Sequence, residues 1–254
     1  MSSEERFGYE WDIWSKEKEL IPEFEDQFLE WVFPMSKEFI KGKRVLNAGC
    51  GFGRHSLFCL NYGAKEVISF DNDEKSINAT KELLKNYNNS KVKLESIHNI
   101  NYKNKFDIIF CIGVIHHLKH PKEAMLKLKQ SLRKGGALMI MVYSKEGNLG
   151  IRIMRKTLGF FTSKIPLKLV YYFSLIPSIG LYFGMKLRIL KSDYYQIIKK
   201  YNFKHLHLIV FDHLIPKVND YYSKEEIMDL MNGLNNIIIR HSKMKCWSVI
   251  GYAN

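Results

Sequence analysis

The segment Asn47-Ala-Gly49-Cys50-Gly51-Phe-Gly53-Arg-His55 sets three glycines at alternate positions, just after a short apolar run and just before a helical pattern. Glycines in such a turn let the backbone approach a ligand closely, and the N-terminus of the following helix adds a favourable field. The dinucleotide fingerprint G-x-G-x-x-G requires glycine at position 54. This chain has Arg54 there and its third glycine one residue early, a spacing that disfavours NAD. Asp71 closes the next apolar run, and a carboxylate at that point can accept hydrogen bonds from ribose hydroxyls. Capping the next helix is the alternative role for Asp71, one that Asn72 or Asp73 can also fill.

Two further groups could move protons. His116 and His117 follow a fourth apolar run, at the end where a substrate would lie, and Asp212-His213 pairs a carboxylate with a histidine base. Against these stand plainer readings: packed, hydrogen-bonded histidines for the first pair, and a solvated turn before Pro216 for the second. The four cysteines, Cys50, Cys59, Cys111 and Cys246, form no C-x-x-C pair and have no histidine at ligand-like spacing. We therefore expect neither a metal site nor a disulfide framework.

The elements that must position these residues follow from periodicity. Apolar runs at Arg44–Ala48, Glu66–Phe70, Val92–Ile97, Phe106–Ile112 and Ala137–Val142 predict five strands. Helical patterns intervene at 54–62, 74–87 and 121–132, the last beginning at Pro121 and ended by Lys134-Gly-Gly136. Strands alternating with helices predict a doubly wound α/β fold with a mostly parallel sheet. Two closing strands, Asn236–Arg240 and Trp247–Gly251, suit an antiparallel hairpin and bring the sheet to seven. A helix before them should start at Ser223 with a capping box to Glu226. Four regions follow: an N-terminal helical cap (1–42), an α/β core (43–143), a helical lid insertion (144–222) and a final helix with hairpin (223–254). Within the cap, Pro34 should break the helical run from Pro22 to Ile40.

The chain has 254 residues and a net charge of +13, from 39 Lys+Arg against 26 Asp+Glu. That excess favours anionic partners, although the lysines are spread along the whole chain. Residues 1–10 lack an apolar signal core, so a cytoplasmic location is expected. Leu169–Gly184 carries no charge, but it is short for a spanning helix and contains Pro177 and Gly180. A buried lid segment is the expectation there, with peripheral membrane contact as the alternative.

Taken in order, VLNAGCGFGRHS, ISFDND, FDIIFCIGVIHHLKHP and LRKGG resemble successive motifs of the class I S-adenosylmethionine-dependent methyltransferases. The resemblance covers residues 43–143. It implies that Gly49, Cys50, Gly51 and Gly53 line the methionine part of the cofactor, with Asn47 behind them. It implies Asp71 at the ribose, Asn72, Asn99 and Ile100 at the adenine, and Cys111 and Ile112 near the sulfonium. Asn47 and Asn99 depart from the family, which usually has acidic residues there. Tyr9, Trp11 and Tyr143 are expected beside the acceptor. The flanking segments RFGYEW and FDHLIP with YYSKEE are similar to methyltransferases found among bacterial surface-polysaccharide (capsule) genes. Cys111-Ile-Gly-Val114 stands where enzymes methylating amino groups often show Asn-Pro-Pro-Tyr. Together these imply O-methylation of a sugar hydroxyl or phosphate-type oxygen on a small anionic precursor. Three alternatives remain: an RNA methyltransferase with a basic face at Arg152, Arg155, Lys156, Lys164 and Lys168, a lipid or quinone methyltransferase at the membrane surface, and a cofactor-binding module without catalysis.

Overall fold

The computed structural model describes residues 3–153, 162, 165–190, 193–215 and 220–254. Lysines 156 and 164 and Arg155, three members of the expected basic face, lie outside them, as does Pro216. Seven strands form one sheet in the order β3-β2-β1-β4-β5-β7-β6. They are β1 Arg44–Ala48, β2 Glu66–Asp71, β3 Ser90–Leu94, β4 Phe106–Ile112, β5 Leu132–Tyr143, β6 Asn235–His241 and β7 Cys246–Tyr252. Strands β1 to β5 pair in parallel, whereas β7 pairs antiparallel to both β5 and β6. The doubly wound reading therefore holds.

Alternation along the central strands divides the core between the two sheet faces. Val45, Val67, Ile108, Phe110 and Met139 join one apolar cluster, while Leu46, Ala48, Ile68, Ile109, Cys111 and Ile140 join the other. The first cluster also takes Phe24, Phe28 and Trp31 from the N-terminal helices. Those helices are α1 (Ser3–Trp14), α2 (Ile21–Val32) and α3 (Lys37–Ile40). Pro34 does end the α2 run, in a cis Phe33-Pro34 bond.

Between the strands lie α4 (Arg54–Asn61), α5 (Glu74–Leu84) and α6 (Pro121–Ser131). Strand β5 starts five residues earlier than periodicity suggests. Leu132 already pairs with Phe106, so Lys134-Gly-Gly136 belongs to the strand, with Gly135 at φ +70° and a register shift nearby. Conversely, β3 stops at Leu94, where Ser96 begins a turn to Asn99.

Beyond β5 come α7 (Leu167–Phe173), α8 (Leu175–Lys186), α9 (Asp193–Ile198) and α10 (Phe203–Leu214). The break in the apolar stretch falls at Ser174, and Pro177 sits in the first turn of α8, where its missing N–H leaves no helical bond unmade. The expected burial of this segment is corrected: its outward residues, Tyr172, Phe173, Ile176 and Phe183 among them, are exposed. Only one side of the pair packs on the protein, which is why composition alone misjudged it. Helix α11 (Lys224–Met231) opens with the expected capping box between Ser223 and Glu226.

Candidate active site

The glycine turn leaves β1 and enters α4 at the carboxyl edge of the sheet. Gly49, Gly51 and Gly53 all have positive φ (+69°, +53° and +90°), a region other residues enter only with strain. The turn is tied down on both sides. Gly49 N and Cys50 N each donate to Phe70 O at 2.9 Å, and Thr80 Oγ1 donates to Gly51 O at 2.8 Å. Behind it, Asn47 Nδ2 donates to Ser56 Oγ at 2.8 Å, which in turn meets Ser69 Oγ at 2.7 Å. Asn47 is buried, and its Oδ1 finds no hydrogen-bond partner among the described residues.

Asp71 ends β2 beside the turn. Its Oδ2 accepts from Gly51 N at 3.0 Å and its Oδ1 from Asp73 N at 3.2 Å. Burial pushes its carboxyl up to about 6, against the lowering effect of these backbone donors. Two carboxylate oxygens at a strand end, next to a glycine turn, are chemically able to accept from vicinal hydroxyls, although neither Asp71 nor Gly53 lines the cavity described next. The helix cap is Asp73 instead, whose Oδ1 accepts from Ser76 N at 2.8 Å. Asn72 and Asn99 are exposed, Ile100 is buried, and none of the three lines the cavity described next.

A cavity of about 140 Å³ runs from the glycine turn to α10. Gly49, Cys50 and Gly51 line one end with Ile112 and Gly113 of the β4 terminus, and Asp212 and His213 line the other. Trp11, His117 and Tyr143 also face it; Tyr9, His116 and Cys111 do not. Tyr9 packs edge-on against Phe211 at 6.3 Å, Cys111 is buried in the sheet, and His116 is buried with its ring 4.2 Å from that of Tyr143. Tyr143 donates to Asp212 Oδ2 at 3.2 Å. Thus of the sequence-derived acceptor-side residues, Trp11, His117, Tyr143, Asp212 and His213 share one space.

Helix α1 roofs that space. A methyl group at Gly8 would sit 2.2 Å from Asp73 Oδ1, and one at Gly51 would sit 3.0 Å from the Trp11 ring. Arg6 fastens the roof: its Nε donates to Ile215 O at 2.8 Å and its Nη2 to Thr162 O at 3.0 Å. The first of these acceptors caps the C-terminus of α10, where a cation is favoured.

Sequence reasoning passed over Arg54 and Glu10, the most strained charges here. Arg54 is buried under five aromatic rings, with its guanidinium carbon 4.8 Å from the Phe24 centroid and 5.3 Å from that of Trp14. Its Nε donates to His55 Nε2 at 3.3 Å, and its Nη1 has no partner among the described residues. Burial lowers its pKa to about 10 despite Asp212 and Glu10 nearby, so it stays cationic at neutral pH. Glu10 is fully buried, and its carboxyl is held well above the usual range by burial and then by Asp212, with Arg54 opposing. Arg54 and Asp212 thus line one cavity, with the buried Glu10 carboxyl close to both. The signal was present as Phe7, Glu10, Trp11 and Trp14 at helical spacing, which puts a charge on an aromatic face.

Comparison with known proteins bears on the family and the fold. Residues 40–200 match the family model described as "Methyltransferase domain". The protein from Pyrococcus horikoshii known as PH0226 superposes with a TM-score of 0.58 at 15% identity, covering 90% of this chain and 91% of that one. Magnesium protoporphyrin IX methyltransferase from Synechocystis, solved with bound S-adenosylhomocysteine, gives 0.54 at 14% identity over 90% and 81%. Among curated relatives, tRNA U34 carboxymethyltransferase of Campylobacter hominis is 34% identical over 113 residues, 42% of this chain and 39% of that protein. Its namesake in Alteromonas mediterranea is 33% identical over 43% of this chain and 35% of its own length. The match therefore spans well under half the length of these relatives. With the family model covering most of the chain and the glycine turn and Asp71 in place, the chain belongs to the methyltransferase domain family and takes S-adenosylmethionine as its cofactor.

Proposed function

We propose that this protein transfers a methyl group to an oxygen of a small anionic acceptor. The observation that carries the reading is Arg54: a buried cation, its Nη1 unpartnered among the described residues, in the wall of the cavity that begins at the glycine turn. An isolated buried donor of this kind costs stability unless a ligand satisfies it, and a carboxylate or phosphate does so best.

In this reading Gly49, Gly51 and Gly53 hold the methionine end of the cofactor and Asp71 accepts from its ribose. Bound S-adenosylmethionine supplies an electrophilic methyl group for in-line displacement. The protein's task is alignment and proton removal. Arg54 binds the acceptor's anionic group, and Trp11, from the roof, excludes water. Asp212, oriented by Tyr143, takes the proton from the attacking hydroxyl. His117 and His213 border the same space and complete the polar wall. Cofactor binding at this edge suits the general rule for open α/β sheets. A phosphate-linked sugar precursor of a surface glycan meets the chemical description, and a cytoplasmic location belongs to the same proposal.

A second reading, methylation of RNA, is favoured by the curated relatives that bear a tRNA-modifying name and by the net charge of +13. A nucleotide would then have to enter the roofed cavity from a strand held outside it. Incubating the protein with methyl-labelled cofactor and separated cell fractions distinguishes the two. Label in small anionic metabolites or glycan supports the first reading. Label in RNA replaces it with the second, and label in neither, with cofactor bound, removes both.

A further inference from the structure

The helix pair α7–α8 has two unlike faces. Toward the protein it sets Leu167, Val170, Ser174, Ser178 and Met185, all buried. Ser174 Oγ bonds His207 Nε2 at 2.8 Å, and the same nitrogen meets Tyr171 O at 2.9 Å, so this face is fastened to α10 by polar contacts. Away from the protein stand Leu169, Tyr172, Phe173, Ile176, Ile179 and Phe183, continued past the helix end by Leu187 and Ile189. Ile176 is 71% exposed, Leu187 67% and Ile189 69%. Such a contiguous apolar surface on a folded protein marks an interaction site.

Charge identifies the partner. From Lys164 to Ser192 the sequence holds five cations, Lys164, Lys168, Lys186, Arg188 and Lys191, and no acidic residue. Lys168, Lys186 and Arg188 are exposed beside the apolar face. A second copy docked on a two-fold axis would bring these cations against each other. A nucleic acid would leave the apolar side chains without a role. An anionic bilayer surface satisfies both: the side chains enter the boundary between headgroups and acyl chains while the cations meet phosphates. Leu167–Lys186 is long and apolar enough to cross a membrane. Its break at Ser174 and its polar fastening to α10 instead keep one face on the protein, as a helix lying in the interface requires.

We infer that α7–α8 docks this protein on the surface of an anionic membrane, independently of which acceptor it methylates. The docking face lies one helix away from the cavity, because α10 contacts α7–α8 through Phe203 and His207 and lines the cavity through Asp212 and His213.

The test is co-sedimentation of the whole chain with vesicles of phosphatidylcholine containing about one third phosphatidylglycerol, and with phosphatidylcholine alone. We expect binding to the anionic vesicles that falls about tenfold or more in Ile176→Glu and Phe183→Glu, with melting temperatures unchanged because both sites are exposed. Lys186→Gln with Arg188→Gln should remove most of the preference for anionic lipid. Absence of binding by the unaltered protein, or equal binding by the glutamate variants, overturns the inference. So does a dimer in sedimentation velocity that those variants dissolve, or vesicle-bound protein that alkaline carbonate cannot extract, which would mean a spanning helix.

Discussion

Replacing Gly8 by alanine tests whether α1 truly roofs the cofactor turn. Inside an ordinary exposed helix that change stabilises by about 0.5–1 kcal/mol, since alanine loses less backbone freedom on folding. Here the added methyl would lie 2.2 Å from Asp73 Oδ1 and 2.4 Å from its Cγ. Asp73 is not free to swing away, because the same oxygen caps α5 through Ser76 N. Giving up such a cap costs about 1 kcal/mol. If α1 lifts instead, Trp11 leaves Gly51 and the cavity opens. Either route reverses the sign of the substitution. We expect net destabilisation of about 1 kcal/mol and, with ~1.4 kcal/mol per factor of ten, a cofactor affinity at least about fivefold weaker. Thermal melting and calorimetric titration with S-adenosylmethionine measure both. Adding Asp73→Ser, which keeps a capping oxygen on a shorter side chain, should restore most of the loss. A Gly8→Ala protein that melts higher and binds the cofactor as before would refute the closure.

Further expectations concern single groups. Asp71→Ala should weaken S-adenosylmethionine binding at least tenfold, about 1.4 kcal/mol, in the same titration. With the Asp71 carboxyl near 6, cofactor affinity should be level above pH ~7 and fall about tenfold per unit below pH ~6, since only the ionised form accepts from both hydroxyls. Asp71→Asn should abolish that slope, and an identical slope in the variant would reassign it to another group. In the cofactor-free protein the sign is opposite: a raised carboxyl pKa favours the folded state at low pH, so stability should drop as pH rises from ~4 through ~6. Arg54→Lys keeps the charge but loses the planar fork, and should raise the acceptor KM about tenfold while cofactor Kd stays within about twofold. Asp212→Asn should lower kcat about a hundredfold with little effect on cofactor Kd; an unchanged kcat would move proton removal elsewhere.

The sheet was legible because its strands carry period-two and all-apolar patterns, and because glycines mark where β1 turns into α4. Edges were less so. Lys134-Gly-Gly136 reads as a turn, yet Gly135 tolerates its positive φ within an irregular strand. On the glycine-turn side, spacing singled out Gly49, Gly51 and Asp71 as candidates, since that geometry depends on backbone, while their cofactor roles came from the family resemblance. The acceptor side depends on which helices close over it. Arg54 looked like a mere departure from a dinucleotide motif, and Glu10 like one charge in an aromatic terminus. Only the packing of α1 and α10 turns them into neighbours. For Leu169–Gly184, composition reports how apolar a helix is and cannot report which side another helix covers.

Trp11 stands at once over Gly51 and in the wall of the cavity. One helix therefore covers both the glycine turn and the cavity, and that has a kinetic meaning. In the proposed reading, displacement of α1 would release the nucleoside and the methylated product together, and the next cofactor would settle before the helix returns. Turnover then has the rhythm of a latch, with Arg6 as its catch on the end of α10. A turnover limited by that opening would slow in proportion to solvent viscosity, and loosening the catch at Arg6 would trade tight ligand capture for faster exit.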